Sequence, residues 1–235
     1  MKSNENWFDT LPDNRLLAEV SLWSADLLAI GADMDRIDSY TDLYHLDVAD
    51  GHFSPALLFF PDLVKAIRSR TLKPLHVHLM AQDDILFDQI EQFADAGAGL
   101  VSVHVENATV GRAIDKICEH GMRAGIILTG DTPVASMEEY LDEVSFVTLL
   151  GTRIGVKGQG LDERALERMA EARQIIDSRQ HTMRTVLAAD GAIREHTVPG
   201  LRRAGADAVV MGSLALGEKD LDARMDWIRK MPGGA

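Results

Sequence analysis

Short apolar runs rich in β-branched residues alternate with longer amphipathic segments along the whole chain. Near-continuous apolar runs are typical of strands that are covered on both faces. The alternation therefore predicts repeated βαβ units around a parallel sheet. The predicted strands are 18–23, 43–48, 74–80, 100–104, 124–128, 145–150, 185–189 and 208–211.

The segments between these runs have helical spacing. Residues 84–96 carry apolar side chains that predict one buried helix face, and these are Ile85, Phe87, Ile90, Phe93 and Ala94. Two Ala-Gly pairs precede apolar runs and predict that Gly97 and Gly205 lie just past helix ends, with positive φ.

Eight βα units fit either a closed barrel or an open doubly wound sheet. The barrel is favoured because no G-x-G-x-x-G follows the first strand, and because polar residues gather at the C-terminal ends of many strands. A length of 235 residues suits one such domain. We predict an α/β fold, a single-domain (β/α)8 TIM barrel over residues 17–230, preceded by an N-terminal extension of residues 1–16.

The composition excludes some partners. A net charge of −13 disfavours non-specific binding to nucleic acid or anionic membranes, although an anionic substrate can still be held locally. The apolar runs are far shorter than the roughly 20 residues that span a bilayer, and the N-terminus lacks the apolar core of a signal peptide. With one cysteine, Cys118, no intrachain disulfide forms. We predict a cytoplasmic protein with no nucleic-acid or membrane partner.

Three predicted strands carry metal-ligating side chains towards the same end of the barrel. His45 and Asp47 are two residues apart on a strand and therefore share a face. His78 lies near the end of the next strand, and Asp190 lies at the tip of the seventh. Two imidazoles and two carboxylates suit a divalent metal. His76 lies two positions deeper than His78 and is predicted to be a core residue.

Each of these residues also has an ordinary structural explanation. A strand histidine is more often a hydrogen-bonded core residue than a ligand, and Asp50, Gly51 and His52 can simply shape a loop. The metal site is favoured because separate strands deliver suitable groups to one end.

Several motifs resemble those of the ribulose-phosphate 3-epimerase family. HLDVADGHFSP from His45 resembles H-x-D-V-M-D-G-x-F-V-P, and PLHVHLM from Pro74 resembles L-D-V-H-L-M. Shorter matches follow in order between about residues 19 and 217, namely VSLWSAD from Val20, HVE from His104, TP from Thr132, GQ from Gly158, DG from Asp190 and AGADAVVMGS from Ala204. The chain is identified as similar to this family over nearly all of the barrel.

The resemblance implies 3-epimerisation of a phosphorylated ketose, such as D-ribulose 5-phosphate to D-xylulose 5-phosphate. It implies that Asp47 and Asp190 are the acid/base pair, that Ser21 lies near the substrate and that Met80 lines the enediolate. It also implies a homodimer or higher homo-oligomer and one divalent metal ion, Zn, Fe, Mn or Co. The implied ligands of that ion are His45, Asp47, His78 and Asp190.

The phosphate of such a substrate is expected at the loops after the last two strands, as in many barrels. Gly191-Ala192 and Gly212-Ser213 fall in those loops. The alternative for Ser213 is a plain helix N-cap.

The glycine-rich loop that begins at Gly151 is a candidate lid over the substrate. Gly158 and Gln159 match the family there. Arg153 and Lys157 add two positive charges, and they either contact an anionic group of the substrate or are simply solvated.

The sequence departs from the family mainly around the substrate. Ala49 replaces the methionine of D-V-M-D-G, Ala192 replaces the second glycine of V-D-G-G, and GTRI from Gly151 replaces N-P-G-F. All four implied metal-ligand positions match. The departures therefore concern the identity of the substrate more than the reaction.

Two other functional classes stay open. A metal-dependent lyase or decarboxylase could pass through a similar enediolate, but such enzymes usually place a lysine near the metal, and no lysine stands at the tip of a ligand strand. A non-catalytic sugar-phosphate-binding barrel is the third class, and retention of both aspartates and both histidines argues against it.

Overall fold

The computed structural model describes residues 7–179 and 184–232. Eight parallel strands close into a barrel in chain order, and β1 pairs with both β2 and β8. This arrangement confirms the predicted (β/α)8 TIM barrel. The strands are β1 (Leu17–Ser21), β2 (Leu43–Ala49), β3 (Leu75–Met80), β4 (Leu100–His104), β5 (Arg123–Leu128), β6 (Phe146–Leu150), β7 (Val186–Asp190) and β8 (Ala208–Met211).

Helices cover the outside of the barrel, and the link between β5 and β6 uses a 3-10 helix instead of an α-helix. None of the described helices is long and apolar enough to cross a membrane. The α-helices are α1 (Ile30–Ile37), α2 (Pro61–Arg68), α3 (Asp83–Asp95), α4 (Val110–Glu119), α5 (Ala165–Ser178), α6 (Val198–Arg203), α7 (Ser213–Leu216) and α8 (Leu221–Arg229), and the 3-10 helices are Trp7–Thr10, Leu22–Ser24 and Val134–Tyr140.

Element boundaries differ from the prediction where local backbone geometry changes. The first strand ends at Ser21, and the predicted strand residues after it form the 3-10 helix. The prediction that Ile85 lies on the buried face of α3 was wrong, since Ile85 is 36% exposed. Ile90 and Phe93 are buried as predicted, and Leu86 is buried where Ile85 was expected to be.

The two predicted turn glycines have the expected conformation. Gly97 has φ of 90° and Gly205 has φ of 113°, in the region that favours glycine. A Cβ at Gly97 would lie 2.7 Å from Cγ of Arg68, and a Cβ at Gly205 would lie 2.6 Å from Cβ of Arg173. Both positions therefore need glycine for conformation and for space.

The described part of the N-terminal segment packs against the N-terminal end of the barrel. Trp7, Phe8 and Leu11 are buried in one cluster with residues that begin the strands. The Phe8 ring meets the Phe146 ring edge-on at 6.2 Å between centroids. This end of the barrel is thereby covered, and the candidate chemistry lies at the opposite end. Residues 1–6 of the predicted extension lie outside the described residues.

Candidate active site

The C-terminal ends of β2, β3 and β7 bring four predicted ligands together. The candidate ligand atoms of His45, Asp47, His78 and Asp190 all lie within 4.8 Å of one another. His45 Nε2 lies 3.3 Å from Asp47 Oδ1 and 3.7 Å from Asp190 Oδ2. His78 Nδ1 lies at the same two distances from the same two oxygens. Two ring nitrogens and two carboxylate oxygens thus surround one centre.

Strand pairing explains why these residues meet. Asp47 is paired with His78 across β2 and β3, and Ser21 is paired with His45 across β1 and β2. Alternate residues of a strand face the same side, so His45 and Asp47 both point into the barrel. The apolar residues between them face the helices and are buried there.

The donor set fits a divalent cation. His45 Nε2 and His78 Nδ1 are buried, and neither has a hydrogen-bond partner among the described residues. Buried polar atoms are normally paired, and two unpaired nitrogens aimed between two carboxylate oxygens match a mixed nitrogen and oxygen metal site. The donors do not by themselves select among Zn²⁺, Fe²⁺, Mn²⁺ and Co²⁺.

A buried carboxylate holds the His45 ring in place. Glu19 is fully buried, and its Oε1 accepts from His45 Nδ1 at 2.7 Å and from His76 Nδ1 at 2.5 Å. Because Glu19 accepts the Nδ1 proton, Nε2 is the nitrogen of His45 that faces the centre and would coordinate a metal ion. His76 Nε2 is 2.7 Å from Ser102 Oγ, which makes His76 the hydrogen-bonded core residue that was predicted. Sequence reasoning missed Glu19, although an acidic residue inside an apolar strand was a usable signal.

Charges in this cluster move the carboxyl pKa values apart. Burial alone would raise the pKa of Glu19, but His76 and His45 offset it and lower the value to about 2. Burial would also raise the pKa of Asp47, yet His45 and His78 hold it well below its usual range. Burial raises the pKa of Asp190, and Asp47 adds to that rise although His45 opposes it. Neighbouring carboxyls with opposite shifts are suited to acid/base work.

A second hydrogen-bonded chain reaches the site from the side of β4. His78 Nε2 lies 2.8 Å from His104 Nε2, and His104 Nδ1 lies 3.1 Å from Glu106 Oε2. Burial lowers the pKa of His104 to about 4, so this imidazole is neutral at physiological pH. The pKa of Glu106 is lowered to about 2, because hydrogen bonds from His104 and Thr132 outweigh burial. The sequence match at His104 does not by itself predict these contacts.

A cavity of about 350 Å³ opens directly over the cluster, a size typical of small-ligand sites. His45 does not line it and lies beneath, fully buried. The predicted site residues that do line the cavity are Ser21, Asp47, His78, Met80, Arg153, Lys157, Gly158, Gln159, Asp190, Gly191, Ala192, Gly212 and Ser213.

The loop between β6 and α5 covers one side of the cavity. Lys157 Nζ donates to the carbonyl oxygen of Trp23 at 2.5 Å and lies 4.7 Å from the centre of the Trp23 ring. The Gln159 amide donates to the carbonyl oxygens of Arg153 and Val156, so this side chain shapes the loop itself. The loop is therefore tied both internally and to the segment after β1.

Sequence reasoning missed Trp23, Ile193 and Arg194, which also line the cavity. Arg194 is half-buried, and its Nη1 donates to the carbonyl oxygen of Ile193 at 3.0 Å. Within the described residues, neither Arg153 nor Arg194 forms a salt bridge, although the chain as a whole is acidic. The basic residue three positions after Gly191 was a signal that could have been used.

Backbone strain marks the loop after β7. Gly191 has φ of 92°, and Ala192 has φ of 53°, the one non-glycine positive φ among the described residues. An alanine in the left-handed backbone conformation carries about 1–2 kcal/mol of conformational strain, and such residues often occur at functional sites. The alternative role of Ser213 as a helix N-cap was wrong, because Gly212 is the N-cap and no side chain caps α7.

Comparisons with known proteins agree with this geometry. Residues 17–216 match the ribulose-phosphate 3 epimerase family. The ribulose-phosphate 3-epimerase of Bacillus subtilis is 34% identical over 89% of this chain and 96% of its own length. Ribulose-phosphate 3-epimerase 1 of Cupriavidus necator is 36% identical over 86% of this chain and 85% of its own.

Among solved structures, 3-hexulose-6-phosphate synthase from Salmonella typhimurium superposes with a TM-score of 0.68. The match covers 91% of this chain and 96% of that one at 20% sequence identity, so it supports the barrel fold alone. The named epimerases confirm the predicted isomerase class. On the family match and these identities, the chain belongs to the ribulose-phosphate 3-epimerase family.

Proposed function

We propose that this enzyme inverts C3 of a phosphorylated ketose by two-base proton transfer through a 2,3-enediolate. D-ribulose 5-phosphate and D-xylulose 5-phosphate are the first substrates to test. The observation that carries the proposal is the convergence of Asp47 and Asp190 with two unpaired ring nitrogens beneath a cavity.

Inversion at C3 needs a proton removed from one face of the carbon and a proton returned to the other. A single carboxylate cannot reach both faces, so two are needed, and each positioned proton carrier contributes roughly 10²–10⁴-fold. Asp47 is the stronger acid and starts as the ionised base, while the raised pKa of Asp190 lets it hold a proton more readily. The two exchange roles in the reverse reaction.

The surrounding residues prepare these carboxylates. Ser21 Oγ donates to Asp47 Oδ2 at 2.8 Å, which leaves Oδ1 facing the centre. His45, Asp47, His78 and Asp190 would hold the divalent ion. When bound, that ion supplies Lewis-acid stabilisation of negative charge on substrate oxygens, worth several kcal/mol.

Binding of the phosphate is proposed at the loops after β7 and β8. Gly191, Ala192, Gly212 and Ser213 line that part of the cavity, where backbone N–H groups can approach an anion closely. Side-chain charge from the lid and from Arg194 then adds to the binding. Met80 supplies an apolar wall, and Gly158 and Gln159 belong to the covering loop.

Deuterium incorporation tests the reaction and separates it from the alternatives. The metal-loaded protein is incubated with candidate ketose phosphates in D₂O, and C3 is followed by NMR. We expect deuterium at C3 and formation of the second epimer, with both lost in Asp47→Asn and in Asp190→Asn. Fragments would indicate the lyase, and an unchanged substrate for every ketose phosphate tried would refute the epimerase.

The role of Arg153 is tested separately by steady-state kinetics. We expect Arg153→Ala to raise the Michaelis constant for a phosphorylated ketose with little change in kcat. An unchanged Michaelis constant would show that this guanidinium is only solvated. The homo-oligomer implied by the family is proposed here too, and sedimentation velocity decides it.

A further inference from the structure

The hydrogen bond between His78 of β3 and His104 of β4 restricts which ring nitrogens carry protons. His78 Nε2 and His104 Nε2 are 2.8 Å apart, so one nitrogen donates and the other accepts. His104 Nδ1 faces Glu106 Oε2 at 3.1 Å, and an ionised carboxylate can only accept. His104 must therefore carry its proton on Nδ1, which leaves its Nε2 as the acceptor.

This restriction also determines which nitrogen of His78 faces the candidate metal centre. If His104 Nε2 accepts, His78 donates from its Nε2, so the neutral ring of His78 carries no proton on Nδ1. That Nδ1 is the buried, unpaired atom 3.3 Å from Asp47 Oδ1. We infer that Glu106, acting through His104, is a positioning residue that sets the tautomer of His78 so that a free Nδ1 lone pair faces the centre. The inference builds on the proposed metal-dependent function.

Glu106 is itself held in one orientation. Its Oε1 accepts from the Thr129 backbone N–H at 2.9 Å, from Thr129 Oγ1 at 2.8 Å, and also from Thr132 Oγ1. Its Oε2 is thereby left for His104. His104 is fully buried, and its ring lies 4.8 Å from the Phe53 ring, tilted by 49°, so Glu106 is the acceptor that the structure gives to His104 Nδ1.

Glu106→Gln is a more specific perturbation than truncation, because the backbone N–H of Thr129 still needs an oxygen as its hydrogen-bond acceptor. The glutamine carbonyl satisfies that donor, and the amide NH₂ then points at His104 Nδ1. His104 is forced to accept on Nδ1 and to donate from Nε2. His78 must then accept on Nε2, and its proton moves to Nδ1, which faces the centre.

Histidine ring ¹⁵N NMR on the metal-free full chain reads this tautomer directly, at a pH where the ¹⁵N shifts show both rings to be neutral. In the wild type we expect His78 to be protonated on Nε2 and His104 on Nδ1, and in Glu106→Gln we expect both assignments to exchange. This readout requires neither metal nor turnover, so it can succeed or fail independently of the epimerase proposal. The opposite tautomer of His78 in the wild type would overturn the inference.

Competition titration with Co²⁺ or Zn²⁺ gives the second readout. We expect Glu106→Gln to lower the affinity for the metal about 10- to 100-fold, the usual effect of losing a hydrogen-bond partner of a metal ligand. Asp83→Asn is the matched control, since Asp83 accepts from Ala108 N–H, Thr109 N–H and Thr109 Oγ1 but does not contact the histidines. Its metal affinity should equal that of the wild type.

A double variant shows whether Glu106 acts through His104. His104→Asn already breaks the link to His78, so adding Glu106→Gln should lower the metal affinity no further. Additive losses would mean that Glu106 acts by another route, and unchanged affinity in Glu106→Gln would refute the positioning role. Thermal unfolding of each variant confirms that it is folded before titration.

Discussion

Glu19→Gln tests how strongly the cluster depends on one buried charge. Glu19 is fully buried, and one of its oxygens accepts hydrogen bonds from His45 and His76. Glutamine keeps the size of the side chain and removes the charge, so it imitates the protonated acid. The cost of the substitution should therefore approach the cost of protonating Glu19 in the folded protein.

The pKa shift sets the expected magnitude. The pKa of Glu19 falls from 4.5 to about 2, and about 1.4 kcal/mol per unit gives roughly 3 kcal/mol of unfolding free energy at pH 7. For a chain of this size, such a loss lowers Tm by roughly 6–12 °C. The folded-state pKa is depressed, so the contribution is complete above about pH 4.5 and is lost as the pH falls towards 2.

Urea unfolding is followed by circular dichroism in EDTA at pH 7, 5 and 3.5. It measures the difference in unfolding free energy between the wild type and the variant. We expect that difference to be largest at pH 7 and to shrink at pH 3.5. Glu91→Gln is the matched control, because Glu91 is exposed and pairs only with surface groups, where less than about 0.5 kcal/mol is expected. A penalty for Glu19→Gln that does not change with pH, or a variant as stable as the wild type, would refute the electrostatic reasoning.

Three further predictions concern the cavity. Ser21→Ala removes the donor to Asp47, and we expect kcat/KM to fall about 10- to 100-fold in a coupled epimerase assay while Tm changes little. Ala192→Gly relieves a left-handed alanine, so chemical denaturation should show stability unchanged or raised by up to about 1 kcal/mol, whereas the strand control Ala189→Gly should lose about 1 kcal/mol. Lys157→Met removes the contact between the β6–α5 loop and Trp23, and steady-state kinetics should show KM rising more than kcat falls.

The amino-acid sequence by itself determined the barrel and the four clustered side chains. Parallel barrel strands are buried on both faces, so they appear as continuous apolar runs that can be read without a structure. The spacing of two between His45 and Asp47 places both on one face of a strand, whatever the rest of the fold does. Polar residues at several strand ends then meet, because all strands of a barrel point the same way.

The tertiary structure alone decided which residues support those four. Glu19 of β1 contacts His45 of β2 and His76 of β3, and His104 of β4 contacts His78 of β3, so these contacts join different strands. Glu106 reaches His78 only through that link between β3 and β4. Such contacts depend on strand register and on side-chain direction, which local periodicity does not encode. The burial of Leu86 rather than Ile85 on α3 was likewise set by packing against the barrel, because an amphipathic pattern defines a helix face only to within about one residue.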